Sequence, residues 1–423
     1  MRPGPHTQVF EQIRQKAGRY VRSIPLDVRL SSESMLTDQA GKEYIDFYSG
    51  AGTLNYGYDN PALSARLSRY LKSYTATPSR YADQRAKQLF IASFQRIVLD
   101  SRQWDYETQL CGPTAANALE TAVRMARRAK KRQNIVSFTH GFQGEGASGR
   151  AMSAGALLDK AAGAALSNAV FMPYDGCFGP DVDTMAHLER LLDQQAGSAQ
   201  RPAAVVVETV LGQGGVNVLS WRWLTELQAL CRRHDMLLIM DDTQVGCGRT
   251  GNFFSFEAAG IQPDIIVLSK SLSGFGLPMS LLLYRPDLCG IQHDAPAQHE
   301  LTLVTAAHAI EAYWQDDEFS TEIRRKENLV RDWLDNMVHS YSSVQLTARG
   351  RGLIQGLVMP DGSGLAGLVA AQALQYGLAI DTSGVNDEVL KLLPALTIGD
   401  DVLIRGLEMV DRAVAEVLSF TRH

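Results

Sequence analysis

Short runs of consecutive apolar residues alternate with amphipathic stretches between about residue 62 and residue 290. Apolar runs bounded by polar residues predict buried strands, and apolar residues at helical spacing predict amphipathic helices at 117–128 and 223–233. This alternation is typical of an α/β fold in which a mainly parallel sheet is covered on both faces. We predict strands at 109–111, 135–138, 203–207, 237–240 and 265–268.

The two flanks of this region have different patterns. Residues 8–22 predict a helix, and residues 35–47 predict a β-hairpin with its turn at 39–42. After residue 305 the pattern predicts one long helix to about residue 340, followed by strand and helix fragments. We predict an N-terminal segment over 1–60 that contributes to the small domain and to an active-site loop, a large domain over 61–310 and a smaller α/β domain over 311–423.

The composition and charge of the chain exclude several classes of protein. The chain has 423 residues and a net charge of -5, which gives no broad attraction to nucleic acid or to a membrane surface. The basic run at 124–132 follows a helical pattern and is typical of a helix C-terminus. The five cysteines have no metal-ligand spacing, and their odd number favours a reducing compartment. With no signal-peptide core and no apolar run of membrane length, we expect a cytoplasmic protein.

Two predicted strands end in residues that can carry chemistry. The run 237–240 ends at Asp241 and Asp242, where α/β folds bind cofactors, and an ionised carboxylate there can keep a heteroaromatic ring nitrogen protonated. Such an acid pair could also cap a helix or bind a metal. The run 265–268 leads to Lys270, and a buried lysine amine has a depressed pKa or is converted to an imine. A lysine at a strand end that simply reaches solvent would indicate no catalytic function.

A loop rich in glycine and aromatic residues follows the predicted hairpin. It covers residues 49–58 and has no sustained period. Loops of this composition are frequently found around ligands, which makes Tyr56 a candidate substrate contact.

These motifs together resemble a known family. Asp241 with Gln244, the glycine-rich stretch 246–251, and Ser269 with Lys270 resemble the signature of the class III aminotransferases, which use pyridoxal 5'-phosphate (PLP). The stretches 50–57, 111–114, 231–235 and 269–274 resemble the diaminobutyrate–2-oxoglutarate aminotransferase branch of that family. The resemblance implies PLP-dependent transferase fold type I, which is aspartate aminotransferase-like, and a homodimer that acts on an amino acid.

The resemblance also implies a role for each cofactor contact. Lys270 would hold PLP as a Schiff base and shuttle protons, and Asp241 would pair with the pyridinium nitrogen. Gln244 would hydrogen-bond the ring hydroxyl, and Phe142 would stack on the ring. The turn Thr114-Ala115-Ala116 opens a helix whose backbone N–H groups would hold the phosphate.

Several positions depart from the family pattern. Gln143 stands where histidine is usual, and Ala115 and Ala116 replace the glycine and second hydroxyl of the phosphate turn. In the segment 294–299, Ala295 falls where the family has a threonine that reaches the partner subunit's phosphate. The change at Gln143 is tolerable because the aromatic residue stacks on the ring. The alanines predict the loss of one phosphate hydrogen bond, and Ala295 predicts a more open pocket.

The last departure concerns the substrate contacts that the resemblance implies, namely Tyr56, Glu208, Gln213 and Lys391. Relatives carry a second glutamate at the position of Gln213, which pairs with a C-terminal basic residue and releases it to bind the 2-oxo acid. The matching basic residue here is Lys391, and a neutral glutamine cannot form that ion pair.

Three functions remain open at this point. The first is a transaminase, expected in specialised biosynthesis, that moves the terminal amine of a diamino acid to 2-oxoglutarate. The second is a PLP enzyme of specialised biosynthesis that catalyses elimination, replacement or carbon–carbon bond formation, for example on S-adenosylmethionine, with 2-oxoglutarate a poor acceptor. The third is a binding protein on an enzyme fold, which the retention of Lys270, Asp241, Gln244 and Phe142 disfavours.

Overall fold

A computed structural model describes residues 24–73, 85–144, 146–153, 168–179, 181–194, 200–290 and 299–420. The helix predicted at 8–22 and the stretch around Ala295 lie outside these residues. The strands within them are β1 (Val28–Ser32), β2 (Met35–Asp38), β3 (Glu43–Asp46), β4 (Glu107–Gly112), β5 (Ile135–Phe138), β6 (Ala169–Met172), β7 (Ala204–Val207), β8 (Val210–Leu211), β9 (Asn217–Val218), β10 (Leu237–Asp241), β11 (Ile265–Ser269), β12 (Ser280–Tyr284), β13 (Thr347–Arg351), β14 (Ile354–Val358), β15 (Leu378–Ala379), β16 (Asp381–Ser383) and β17 (Val389–Leu392).

The longer helices alternate with the strands of the central region and then dominate the C-terminal part. Their bounds are Pro61–Ser73, Arg85–Ser93, Ala115–Lys130, Ala147–Met152, Thr184–Gln194, Trp221–Arg233, Glu300–Tyr313, Glu318–Ser340, Leu365–Tyr376 and Asp400–Phe420.

The central sheet has seven strands in the order β4-β12-β11-β10-β7-β5-β6. The strands from β11 to β6 pair in parallel, and β12 runs antiparallel between β11 and β4. Every predicted strand of this region is present, and the side chains of β5, β7, β10 and β11 are buried throughout. A parallel sheet with both faces covered accounts for these continuous apolar runs.

Alternate side chains of the central strands enter two separate cores. In β10, Leu238 and Met240 join the core that includes the helix Trp221–Arg233. Leu237 and Ile239 point the other way, into the core beneath the helix Ala115–Lys130. This period-two alternation places one helical layer on each face of the sheet and leaves the strand ends open for a site.

Two four-stranded sheets and the two-stranded sheet β8-β9 accompany the central one. The first has the order β1-β2-β3-β15, and the second is antiparallel throughout with the order β13-β14-β17-β16. The hairpin predicted at 35–47 is confirmed as β2 and β3, whose turn is closed by Asp38 accepting hydrogen bonds from the N–H groups of Ala40 and Lys42. Because β15 pairs with β3, we propose that residues 24–60 and the C-terminal part form one structural unit. The division of the chain into domains at residues 60 and 310 stays a prediction.

The single long helix expected from about 305 to 340 is wrong. The chain forms two helices, Glu300–Tyr313 and Glu318–Ser340, separated by a break at 314–317. The Asp316 side chain accepts a hydrogen bond from the Glu318 N–H and so competes with continued helical bonding, as aspartates do near helix starts. Among the described residues, no helix is both long enough and apolar enough to cross a membrane.

Candidate active site

Two neighbouring parallel strands deliver the principal site residues to one edge of the central sheet. Asp241 is the last residue of β10, and Lys270 directly follows β11. Both side chains line one cleft beyond the carboxyl ends of these strands, which is where open α/β sheets bind ligands. The cleft is lined by Ala115, Leu119, Phe142, Gln143, Gly144, Glu208, Gln213, Asp241, Thr243, Gln244 and Lys270.

Lys270 is held in a strained backbone conformation at the centre of this cleft. Its φ of +51° lies in the left-handed region, which costs a residue with a side chain on the order of 1–3 kcal/mol and is typical of functional sites. Its Nζ donates a hydrogen bond of 3.1 Å to the Ala51 carbonyl oxygen. Burial, helped by the positive charge of Lys391, lowers the pKa of Lys270 to about 8. A sizeable fraction of this amine is therefore unprotonated near neutral pH and able to act as a nucleophile.

Asp241 is a buried carboxylate with incomplete charge compensation. Its side chain is 4% exposed and accepts a 3.2 Å hydrogen bond from the Thr243 N–H. Burial raises its pKa, while the Thr243 hydrogen bonds and the positive charge of Lys270 act in the opposite direction. A protonated ring nitrogen in the cleft would supply a cationic hydrogen-bond donor, which none of the described residues gives this carboxylate, so the donor set fits PLP.

Gln244 is fixed by two close neighbours. Its Nε2 donates to the Ala51 carbonyl oxygen at 3.1 Å, so Gln244 and Lys270 share one acceptor in the glycine-rich loop. A Cβ atom at Gly212 would lie 2.0 Å from the Gln244 Oε1, a separation at which the side chain could not stay in place. The absence of a side chain at position 212 therefore leaves room for the Gln244 amide in the cleft.

The helix Ala115–Lys130 points its N-terminus at the same cleft. Thr114 precedes the helix, and its hydroxyl and N–H both donate to the Asn117 Oδ1, at 2.7 and 3.2 Å. Ala115 lines the cleft. The first-turn N–H groups and the positive end of the helix dipole fit a phosphate, although Ala115 and Ala116 offer no hydroxyl to it.

The adjacent cleft residues at 142 and 143 differ in exposure. Phe142 is 45% exposed, and its side chain lines the cleft. Gln143 is buried, and its Nε2 donates a 3.0 Å hydrogen bond to the Glu208 Oε1. Burial and the negative charge of Asp241 raise the pKa of Glu208 well above its usual value. The glutamine at the usual histidine position thus binds Glu208 inside the protein and leaves the aromatic side chain available for stacking.

Two predicted substrate contacts lie outside the cleft lining. Tyr56 is 3% exposed, its hydroxyl accepts a 2.8 Å hydrogen bond from Trp314 Nε1, and its ring stacks on Tyr313 with 4.8 Å between centroids. The Lys391 side chain is fully buried, with Nζ 3.4 Å from the Asp381 Oδ2. Gln213, in contrast, does line the cleft.

Sequence reasoning assigned no separate role to two residues that support the site. Arg249 is fully buried, and its guanidinium donates to the Asn55 Oδ1 at 2.5 Å and to the Leu353 carbonyl, which anchors the glycine-rich loop. Asp242 is buried behind Asp241 and accepts a 3.0 Å hydrogen bond from the Ser255 N–H. Both belong to stretches that the sequence already singled out, but their partners are distant in the chain.

The cleft combines a lysine and a carboxylate at neighbouring strand ends of a mainly parallel sheet with a helix N-terminus and an aromatic ring. This combination defines a PLP-dependent enzyme of fold type I. The family model "Aminotransferase class-III" matches residues 17–414, and the chain belongs to this family. It is thus a PLP-dependent aminotransferase that acts on an amino acid.

Relatives within the family agree with this assignment. A diaminobutyrate–2-oxoglutarate transaminase of Bordetella parapertussis is 53% identical over 97% of this chain and 96% of its own length. An enzyme of the same description from Halomonas elongata is 41% identical over 98% of this chain and 100% of its own length. These similarities favour transamination over elimination, replacement or carbon–carbon bond formation.

Solved structures show the same fold at low sequence identity. The ornithine aminotransferase of Toxoplasma gondii has a TM-score of 0.83 and 22% identity, covering 98% of this chain and 95% of its own. An aminotransferase of Bacillus anthracis has a TM-score of 0.85 and 19% identity, covering 98% of this chain and 100% of its own.

Proposed function

We propose that this protein transfers the terminal amino group of diaminobutyrate to 2-oxoglutarate, producing glutamate and the corresponding amino acid aldehyde. The observation that carries the proposal is the 53% identity, over nearly the whole chain, to a relative named for this reaction. The site supports it, because Lys270, Asp241, Gln244 and Phe142 surround one cleft.

Each cleft residue has a task in this reaction. Bound PLP supplies an electron sink for the carbon that loses its proton. The Lys270 Nζ, with its lowered pKa, would link to the cofactor in the resting enzyme and then move a proton to and from the reacting carbon. The Asp241 carboxylate would hold the ring nitrogen protonated, and the Gln244 amide would orient the ring oxygen.

Other residues position the cofactor and separate it from bulk water. The helix N-terminus at Ala115 would bind the phosphate, and Phe142 would cover one ring face. Glu208, whose pKa is raised by burial, would lie behind the ring as a hydrogen-bonded partner of Gln143. Assembly as a homodimer, a cytoplasmic location and a role in specialised biosynthesis stay predictions of this proposal.

The donor and acceptor can be tested directly. Purified PLP-loaded protein is mixed with diaminobutyrate and 2-oxoglutarate, and glutamate and aldehyde are measured over time. We expect multiple turnovers with one glutamate formed per aldehyde, at a rate of roughly 1 per second or faster. Ornithine and N-acetylornithine serve as competing donors, and a clear preference for either would contradict the assignment of diaminobutyrate. A single turnover that stops after the donor is consumed would contradict 2-oxoglutarate as the acceptor.

A further inference from the structure

Lys391 and Asp381 form a cross-strand pair in the C-terminal antiparallel sheet. In the register of β16 and β17, Asp381 lies directly opposite Lys391. The Lys391 Nζ is 3.4 Å from the Asp381 Oδ2. The lysine side chain is fully buried, whereas the aspartate side chain keeps 16% of its surface exposed. Opposite charges placed in this way on one face of a sheet attract one another.

The face that carries this pair is turned toward the active-site cleft. Val389 shares the face with Lys391, because the two are separated by one residue in the strand, and it packs with Val210 and Val216. On β16, Ser383 shares the face with Asp381, and its hydroxyl donates to the Gly212 carbonyl at 3.0 Å. The pair therefore lies on the side of the sheet that packs on the 210–216 segment.

The 210–216 segment also holds Gln213, and β16 is bonded to it. The Gly384 N–H donates a 3.2 Å hydrogen bond to the Gln213 carbonyl, and the Gly215 N–H donates to the Ser383 Oγ at 3.1 Å. The strand that carries Lys391 thus pairs with a strand bonded to the segment that contributes Gln213 to the cleft.

A buried ammonium is costly without a nearby anion, and the neutral amide of Gln213 cannot supply one. We propose that Asp381 is the counter-ion of Lys391 in the resting enzyme and yields it to a carboxylate of the oxo-acid acceptor, taking the task of the acid that is absent at position 213. The proposal rests on the proposed function in taking the acceptor to be a 2-oxo acid, and it rests on the prediction that Lys391 binds the acceptor. Asp381 suits the task because its carboxylate is partly exposed and can turn to solvent when displaced.

The direction of the effect follows from competition. Asp381 and the acceptor carboxylate would use the same cation, so removing the charge of Asp381 should tighten the binding of a dicarboxylate. Glutarate is a suitable probe, because it has the two carboxylates of 2-oxoglutarate but no oxo group that can react. In the PLP-loaded protein, calorimetry should show about tenfold tighter glutarate binding for Asp381→Asn than for wild type.

A matched control removes a charge from the same hairpin without touching Lys391. Asp387 is exposed in the turn between β16 and β17, where it accepts a hydrogen bond from the Thr382 hydroxyl that asparagine can also accept. Asp387→Asn should leave glutarate binding unchanged. The effect of Asp381→Asn should also disappear in a Lys391→Met background, since the cation over which the anions compete is then absent.

Moving the acid gives a second, independent test. Gln213→Glu in the Asp381→Asn protein should return glutarate affinity toward wild type, because an acid at 213 resumes the competition. Gln213→Glu alone should weaken glutarate binding several-fold. If Asp381→Asn fails to fold, the Gln213→Glu variant alone still tests the proposal. Unchanged glutarate binding in that variant would overturn it.

These outcomes distinguish a failure of the counter-ion proposal from a failure of the proposed function. Equal glutarate binding by Asp381→Asn and Asp387→Asn overturns the counter-ion, even if diaminobutyrate and 2-oxoglutarate turn over normally. Tighter glutarate binding with rescue by Gln213→Glu supports the counter-ion, even if diaminobutyrate proves not to be the donor.

Discussion

Two lysine–aspartate pairs in this protein have the same chemical groups but different settings. Lys270 and Asp241 follow neighbouring parallel strands, and both side chains open into the cleft. Lys391 and Asp381 lie opposite each other on antiparallel strands, and the lysine is fully enclosed. The carboxyl ends of parallel strands meet at a sheet edge where a ligand can enter, whereas cross-strand neighbours within a sheet mainly meet each other.

This comparison distinguishes a lysine suited to the reaction from a lysine suited to charge balance. The amine of Lys270 has a carbonyl acceptor at 3.1 Å and a pKa lowered to about 8, which suits bond formation and proton transfer. Lys391 has a carboxylate neighbour and does not line the cleft, which suits a role in charge balance behind the cleft. Substitutions in the two regions should therefore differ in size and in the step that they affect.

The largest effect is expected at Lys270. Lys270→Ala removes the only cleft-lining amine among the described residues, and overall transamination should fall by roughly 10⁴-fold, the upper range for a positioned proton-transfer group. Borohydride reduction of wild-type protein should attach the pyridoxyl group to Lys270 in a peptide map. Lys72→Ala, at an exposed position, should retain full activity. Attachment of the pyridoxyl group to another lysine would mean that Lys270 is not the cofactor lysine.

A smaller but still large loss is expected at Asp241. Asp241→Asn keeps the shape of the side chain but cannot hold the ring nitrogen protonated, so kcat should fall by about 10²–10³-fold, as when one preorganised electrostatic group is removed. Asp242→Asn is the matched control, because Asp242 is the neighbouring buried carboxylate and does not line the cleft. Steady-state rates at saturating PLP measure both. Equal losses in the two variants would show that burial of the acid, rather than contact with the ring, explains the effect.

The smallest effect is expected at Tyr56, which lies in neither pair. Tyr56→Phe leaves the Trp314 N–H without its buried acceptor and should lower the free energy of unfolding by about 1–3 kcal/mol. Urea denaturation measures this change, and KM for both substrates should stay near the wild-type value. A large rise in KM for the amino donor at unchanged stability would instead make Tyr56 the substrate contact that the sequence predicts.

Much of the central region could be predicted from local patterns. The runs that become β10 and β11 are apolar at every position because both sheet faces are covered, and Asp241 and Lys270 are conspicuous as the polar residues that end them. The hairpin at 35–47 could be predicted for a similar reason, since its turn is closed by the side chain of Asp38 within the same short segment. Local sequence encodes elements whose stabilising contacts are local.

The sequence by itself determined five strands of the central sheet, the hairpin at 35–47 and the two strand ends that carry Asp241 and Lys270. Only the tertiary structure decided that Tyr56 packs on Tyr313 and that Asp381 faces Lys391. The aromatic partners are separated by more than 250 residues, and the ion pair depends on the register of β16 and β17, in which a shift of one residue would turn each side chain to the other face. Such contacts are set by how distant elements pack, and no pattern within one segment specifies them.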